Sequence, residues 1–313
     1  MTMYWQLLIN LTALAETAKR RCLWLILAIA SGSAVGQELE PRSYANVPIG
    51  QNFLVLGLAR SEGQVTPSPN VPVKDVDLTI DAMAIGYLNT FSLFGSAAKF
   101  DLQTFRTCYD GSGVVHGTPS SVSRCEWGDT RLRLSWNIIG SPALTLEEYR
   151  RAYQPGLIVG VSIQVEAPTG DYNAKQLVNA GTNRWMVRPG FGLSYRWQNW
   201  YVDMAFDAKF FQDNDNYLGN RIKQDPIYQA QFHAVRYFPK GPWLAFNSNF
   251  YRGGESFQNG EPLLTDLENA RLGATLSIPL APHHSIKLNA SRGVITRIGS
   301  DFDTVALSYL YRF

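Results

Sequence analysis

The chain has 313 residues, a formal net charge of +2 and a mean hydropathy of −0.13, enough length for one large domain or two ordinary ones. Aromatics make up 12% of it, with 26 Gly, a composition that favours strands over helices. Beyond residue 36 no apolar run approaches the roughly 18–20 residues of a spanning helix, which excludes a helical membrane protein but not a barrel, where only every second residue faces lipid.

The N-terminus is expected to be a cleaved signal peptide, residues 1–36: basic Lys19-Arg20-Arg21, an apolar core Cys22–Ala30, then small residues to Gly36. Residues 37–51 are expected as a periplasmic lead-in and 52–313 as one barrel. Removing 1–36 takes three of the 28 basic and one of the 26 acidic residues, so the remainder carries 25 of each and offers no electrostatic case for nucleic acid. Cys108 and Cys125 remain, and an oxidising compartment favours their pairing as a disulfide.

Twelve strands are predicted in chain order: Asn52–Ser61, Asp75–Leu88, Ala97–Thr107, Thr130–Ile139, Gly156–Ala167, Trp185–Trp197, Trp200–Phe211, Pro226–Phe238, Trp243–Tyr251, Asn269–Pro279, His284–Arg292 and Asp303–Phe313. Most are long enough to cross a bilayer at a tilt. Several alternate cleanly, as where Leu157, Val159, Val161, Ile163 and Val165 oppose Gly160, Ser162, Gln164 and Glu166. The odd-numbered connections hold 13, 22, 17, 14, 17 and 10 residues and the even-numbered ones 8, 16, 2, 4 and 4. Long loops alternating with short turns fit an all-β, transmembrane, antiparallel up-and-down β-barrel of outer-membrane type, rather than a soluble sandwich. In the long even connection, Thr145-Leu-Glu-Glu148 reads as a capping box opening a short helix. Trp127, Trp185, Trp197, Trp200, Trp243, Tyr237, Tyr251, Tyr309 and Tyr311 lie near strand ends, as interfacial girdles require.

A basic residue facing lipid at mid-membrane costs about 2–4 kcal/mol, so the charged face is expected to turn inwards. The candidate pore-lining residues are Asp77, Asp81, Lys99, Asp101, Arg131, Arg133, Gln164, Glu166, Arg188, Arg196, Asp203, Asp207, Lys209, Gln231, His233, Asn247, Asn249, Lys287 and Asn289. With near-equal signs among them, strong ion selectivity is not expected. The four histidines form no evident Ser–His constellation and nothing matches Gly-x-Ser-x-Gly, so catalysis is not expected. Asp213-Asn-Asp-Asn-Tyr217 lacks the glycine and glutamate of a calcium loop, and neither metal nor cofactor is expected.

Glu40-Pro-Arg-Ser-Tyr-Ala-Asn-Val-Pro-Ile-Gly-Gln-Asn-Phe53 resembles the start of the outer-membrane family named after the MetA pathway of phenol degradation. Gly128-Asp-Thr-Arg-Leu-Arg-Leu134, Ala167-Pro-Thr-Gly-Asp-Tyr172, Asn183-Arg-Trp185 and Arg292–Asp303 resemble it too, whereas Cys108 and Cys125 lie outside the pattern. The resemblance implies a channel or transporter for small solutes, aromatic or otherwise hydrophobic, and supplies no site residues. The alternatives are a structural or adhesive barrel with a plugged lumen and, less favoured, an outer-membrane lipid hydrolase. Expected partners are outer-membrane lipid and the barrel-assembly machinery, engaged through the terminal strand ending at Phe313.

Overall fold

The computed structural model describes residues 40–68, 73–176 and 178–313, so the expected signal peptide lies outside the described residues. In chain order the elements are β1 (Asn52–Thr66), β2 (Val73–Leu93), β3 (Ser96–Val115), β4 (Thr118–Trp127), β5 (Thr130–Ile139), α1 (Leu146–Ala152), β6 (Leu157–Ala167), β7 (Met186–Trp197), β8 (Trp200–Phe211), β9 (Asn214–Tyr217), β10 (Asn220–Gln224), β11 (Ile227–Tyr237), β12 (Trp243–Gly253), β13 (Ser256–Gln258), β14 (Glu261–Pro262), β15 (Leu267–Ala281), β16 (His284–Thr296) and β17 (Gly299–Arg312). The twelve strands β1, β2, β3, β5–β8, β11, β12 and β15–β17 close into an antiparallel barrel, sealed where β1 pairs with β17 from Phe53–Arg312 to Thr66–Gly299. Each corresponds to one of the twelve sequence-derived strands.

Period-two alternation explains both faces. Leu58, Met83, Phe191, Phe206, Phe246, Leu272 and Leu307 are large, apolar and exposed on the outside. A belt of this size is unfavourable in water and is the solvated surface in lipid. Trp127 and Trp185 flank it at the loop end, and Trp197, Trp200 and Phe313 at the short-turn end. Trp243, Tyr237 and Tyr251 depart from the expected girdle. They share the parity of the inward Asn247 and His233, and Trp243 and Tyr251 are buried inside the barrel.

The predicted 22-residue loop after the third strand is instead a hairpin, β3–β4, turning at His116-Gly117 with positive φ at both residues. Its directly opposed Cys108 and Cys125 form a disulfide. β4 and β5 form one strand interrupted at Gly128-Asp129: Cys125 opposes Cys108, but Arg131 opposes Gln103, one residue out of step. This bulge reverses parity, so Trp127 points out while Arg131 points in. At the loop end, β14-β13-β10-β9 form a separate four-stranded sheet over Tyr217, Ile222 and Leu263. At the other end α1 starts as expected: Thr145 Oγ1 accepts from Glu148 N–H at 3.3 Å, and the Glu148 carboxylate accepts from Thr145 N–H at 2.8 Å. Those bonds hold the Glu148 carboxyl below its usual range.

Leu307 and Ser308 are neighbours on opposite faces. Leu307→Arg is expected to cost about 2–4 kcal/mol for folding into phospholipid vesicles, read by urea titration, whereas Ser308→Arg has little effect.

Candidate functional site

Seventeen of the nineteen candidate lining residues sit at inward positions of the barrel wall. They are Lys99 and Asp101 on β3, Arg131 and Arg133 on β5, Gln164 and Glu166 on β6, Arg188 and Arg196 on β7, and Asp203, Asp207 and Lys209 on β8. Gln231 and His233 follow on β11, Asn247 and Asn249 on β12, and Lys287 and Asn289 on β16. Asp77 and Asp81 do not join them. The inward positions of β2 are even-numbered (Ala82, Ala84, Gly86), so both aspartates share the outer face of Met83 and Ile85. They are tolerated there because β1 and β2 overshoot the apolar belt, where the exposed Arg60 reaches Asp81 at 3.4 Å.

Charges on the inner wall are largely matched. Arg131 Nε meets Glu166, its register partner, at 2.7 Å, and Arg188 grips Asp207 through two bonds of 2.7 and 2.8 Å. Buried charges need such partners, and removing one partner costs about 3–5 kcal/mol. His233 is held by Asn247 at 2.8 Å and Gln231 at 3.1 Å, and Asn247 continues through Thr275 to Asn289. Its ring nitrogens meet amide groups rather than a serine hydroxyl. Asp213 and Asp215, weighed above as calcium ligands, both face Arg221, at 2.6 and 3.3 Å.

Residues 37–51 were expected as a periplasmic lead-in; the described part, Glu40–Gln51, instead folds into the barrel from the short-turn end. Its depth is set by Tyr44. The ring lies against inward Gly160 and Gly192, which oppose each other in register on β6 and β7. A Cβ on Gly192 would sit 2.1 Å from that ring, and one on Gly160 2.3 Å. Only glycine leaves the wall flat enough for the contact. Tyr44 Oη also shares a 3.0 Å hydrogen bond with Ser162 Oγ.

Polar contacts fix the rest of the segment. Glu40 accepts from Arg133 at 2.8 Å, the Arg42 amide donates to Asp203 at 2.7 Å, and Lys99 Nζ donates to the Ser43 carbonyl. The Arg42 guanidinium lies over Tyr237 and Trp243, 5.4 and 5.3 Å from the ring centres, which accounts for their inward turn. Ala45 packs with Tyr201, Val235, Trp243 and Ala245. At the exit, Gly50 and Gln51 donate to Thr90, and the β5–β6 connection braces the segment: Ile49 N–H donates to Leu144, just before α1, at 2.8 Å, and Tyr149 Oη of α1 to Asn46 at 3.3 Å. Burial of the Tyr149 phenol there pushes its pKa up to about 12.

The segment fills the side of the lumen lined by β6–β12. On the other side a cavity of about 430 Å³ remains. It exists because the inward positions of β1, β2 and β17 carry small residues: Gly57, Ala59, Ala82, Ala84, Gly86, Ala306 and Ser308. At the loop end, the β6–β7 connection is latched by Asp129 in the β4–β5 bulge. The buried carboxylate accepts from Gly170 N–H at 2.9 Å, Thr182 N–H at 2.8 Å and Thr182 Oγ1 at 2.6 Å. Ala180 N–H donates to Glu126, and Val178 and Ala180 pack on Ile80, Tyr109 and Phe302 in the barrel mouth.

Sequence reasoning missed Glu40, Arg42, Tyr44, Asp129 and Arg271. For Tyr44 the available signal was the glycines at inward positions of two adjacent strands. For Arg271, buried and donating to Phe302 O at 2.8 Å, it was alternation with Ala270 and Leu272.

Comparison with known proteins agrees with this architecture. An outer membrane channel from Pseudomonas putida F1 superposes with a TM-score of 0.73 at 21% identity, over 88% of this chain and 100% of that one. The transport unit of the autotransporter AIDA-I from Escherichia coli gives a TM-score of 0.54 at 9% identity, over 90% of this chain and 95% of that one. At such identities the likeness concerns the fold, which is that of outer-membrane barrels. No curated protein matches the sequence. The profile of one family matches residues 58–306, most of the barrel, and the chain therefore belongs to the family described as "Putative MetA-pathway of phenol degradation".

Proposed function

We propose that this protein is an outer-membrane channel for small solutes, including aromatic or other hydrophobic compounds, whose lumen is narrowed by its own N-terminal segment. The observation that carries this reading is the lumen itself. Small inward residues on three adjacent strands leave about 430 Å³ unfilled. The remaining space is filled by the chain's own N-terminal segment, joined to β1 and held against the wall by hydrogen bonds and an ion pair. A barrel serving only as a structural or adhesive element has no need of a removable filler. Membership of the family and the likeness to an outer membrane channel support the same reading.

In this account residues 1–36 direct export and are removed. The seventeen inward residues line the solute path, and β17, ending at Phe313, is the strand by which the assembly machinery inserts the barrel. The short-turn end then faces the periplasm and the latched loops face outwards.

Two outcomes are expected in planar bilayers. Deleting residues 40–50 raises single-channel conductance severalfold over the intact chain. Gly192→Leu, which drives a side chain into the Tyr44 ring, raises it in the same direction without shortening the chain. If the folded deletion variant conducts no better than a lipid-only control, the channel reading is wrong and the structural alternative stands.

A further inference from the structure

The cavity beside the N-terminal segment has two unlike walls. Along β1, β2 and β17 it is apolar, with Val55, Ala82, Ala84, Leu88 and Leu310 presented to the interior. Facing them, the border carries five cationic side chains (Arg42, Lys99, Arg131, Arg133, Lys287) and two carboxylates, Glu40 and Asp101. Counting charges along the sequence gives neutrality; contacts in the fold do not. Arg131 is held by Glu166, Arg133 by Glu40, and Arg42 lies beside Asp203, which leaves two cations, Lys99 and Lys287, with Asp101. Lys99 binds a neutral carbonyl, that of Ser43. Lys287 stands between Ser277 and Ser308 in register and has no carboxylate within ion-pair distance among the described residues.

An ammonium beside an apolar wall in a confined space attracts an anion more strongly than one in bulk water. The apolar wall in turn rewards a ligand with a hydrocarbon body. Resting on the channel reading above, we propose that this cavity is a binding site for organic carboxylates with a compact apolar body. The carboxylate meets Lys287 and Lys99, and the body lies on Ala82, Ala84 and Leu310. A hydrated inorganic anion satisfies only the first wall and a neutral hydrocarbon only the second.

The test is calorimetric titration of the folded, detergent-solubilised mature barrel with sodium benzoate and, separately, with benzyl alcohol. Benzoate is expected to bind at least about tenfold more tightly than benzyl alcohol, and Lys287→Gln to weaken benzoate about tenfold while leaving benzyl alcohol unchanged; Lys99→Gln, which also releases the Ser43 carbonyl, weakens benzoate as well. Lys287→Arg, which keeps the charge, retains most of the affinity. Folding of each variant is checked by heat-modifiable electrophoretic migration, and the comparison of the two ligands on the wild-type barrel needs no variant. Equal affinity for the two ligands, or benzoate binding indifferent to both lysine substitutions, overturns the inference. Binding is read without conduction, so benzoate preference in a barrel that never conducts removes the channel reading and leaves the site. Conduction without benzoate preference does the opposite.

Discussion

Tyr44 on the glycines of β6 and β7 is the contact on which the interior is organised. A ring can lie flat on a barrel wall only where the wall has no side chains, and Gly160 and Gly192 supply that surface at opposed positions. Once the ring is seated, the neighbouring residues have little freedom. Glu40 reaches Arg133, the Arg42 amide reaches Asp203, and the Arg42 guanidinium covers Tyr237 and Trp243. The β5–β6 connection holds the outgoing chain through Leu144 and, on α1, Tyr149, which gives a purpose to the one long connection at an end otherwise closed by tight turns. The cavity then lies off-centre, against the strands whose inward residues are smallest.

A second constraint acts at the opposite end. The bulge at Gly128-Asp129 shifts pairing with β3 by one residue and turns Arg131 and Arg133 into the lumen, while Cys125 and Trp127 stay outside. The same bulge buries the Asp129 carboxylate, which three donors from the β6–β7 connection satisfy. Two stretches that carried the family resemblance in the sequence, Gly128–Leu134 and Ala167–Tyr172, thus meet in space, and a third, Glu40–Phe53, is the luminal segment.

Strand number, order and facing were legible because lipid imposes them locally: each crossing alternates with period two over about ten residues. Charge alone was a poorer guide. Asp77 and Asp81 read as luminal because they interrupt an apolar strand, but β2 is 21 residues long, and its outer face there lies beyond the belt. The β3–β4 hairpin was hidden by Gly111, Gly113, Gly117 and a run of serines, which read as a loop until pairing with β3 is known. The luminal place of Glu40–Gln51 was hidden for a different reason. It has no periodicity, and its fit depends on residues more than a hundred positions away, such as Ser162 and Asp203. The expected absence of strong ion selectivity followed from the near-equal signs among the candidate lining residues, whereas selectivity depends on which of those charges remain unmatched.

The central claim is that the N-terminal segment occupies the lumen with Tyr44 on the β6–β7 glycines. Disulfide trapping between Tyr44→Cys and Gly160→Cys in the folded, membrane-inserted barrel tests it most directly. The account predicts that the two thiols cross-link on mild oxidation, and that conductance in the oxidised protein stays at its lowest level until a reductant is added. Two thiols that both remain free and reactive towards a maleimide in the folded barrel would contradict it.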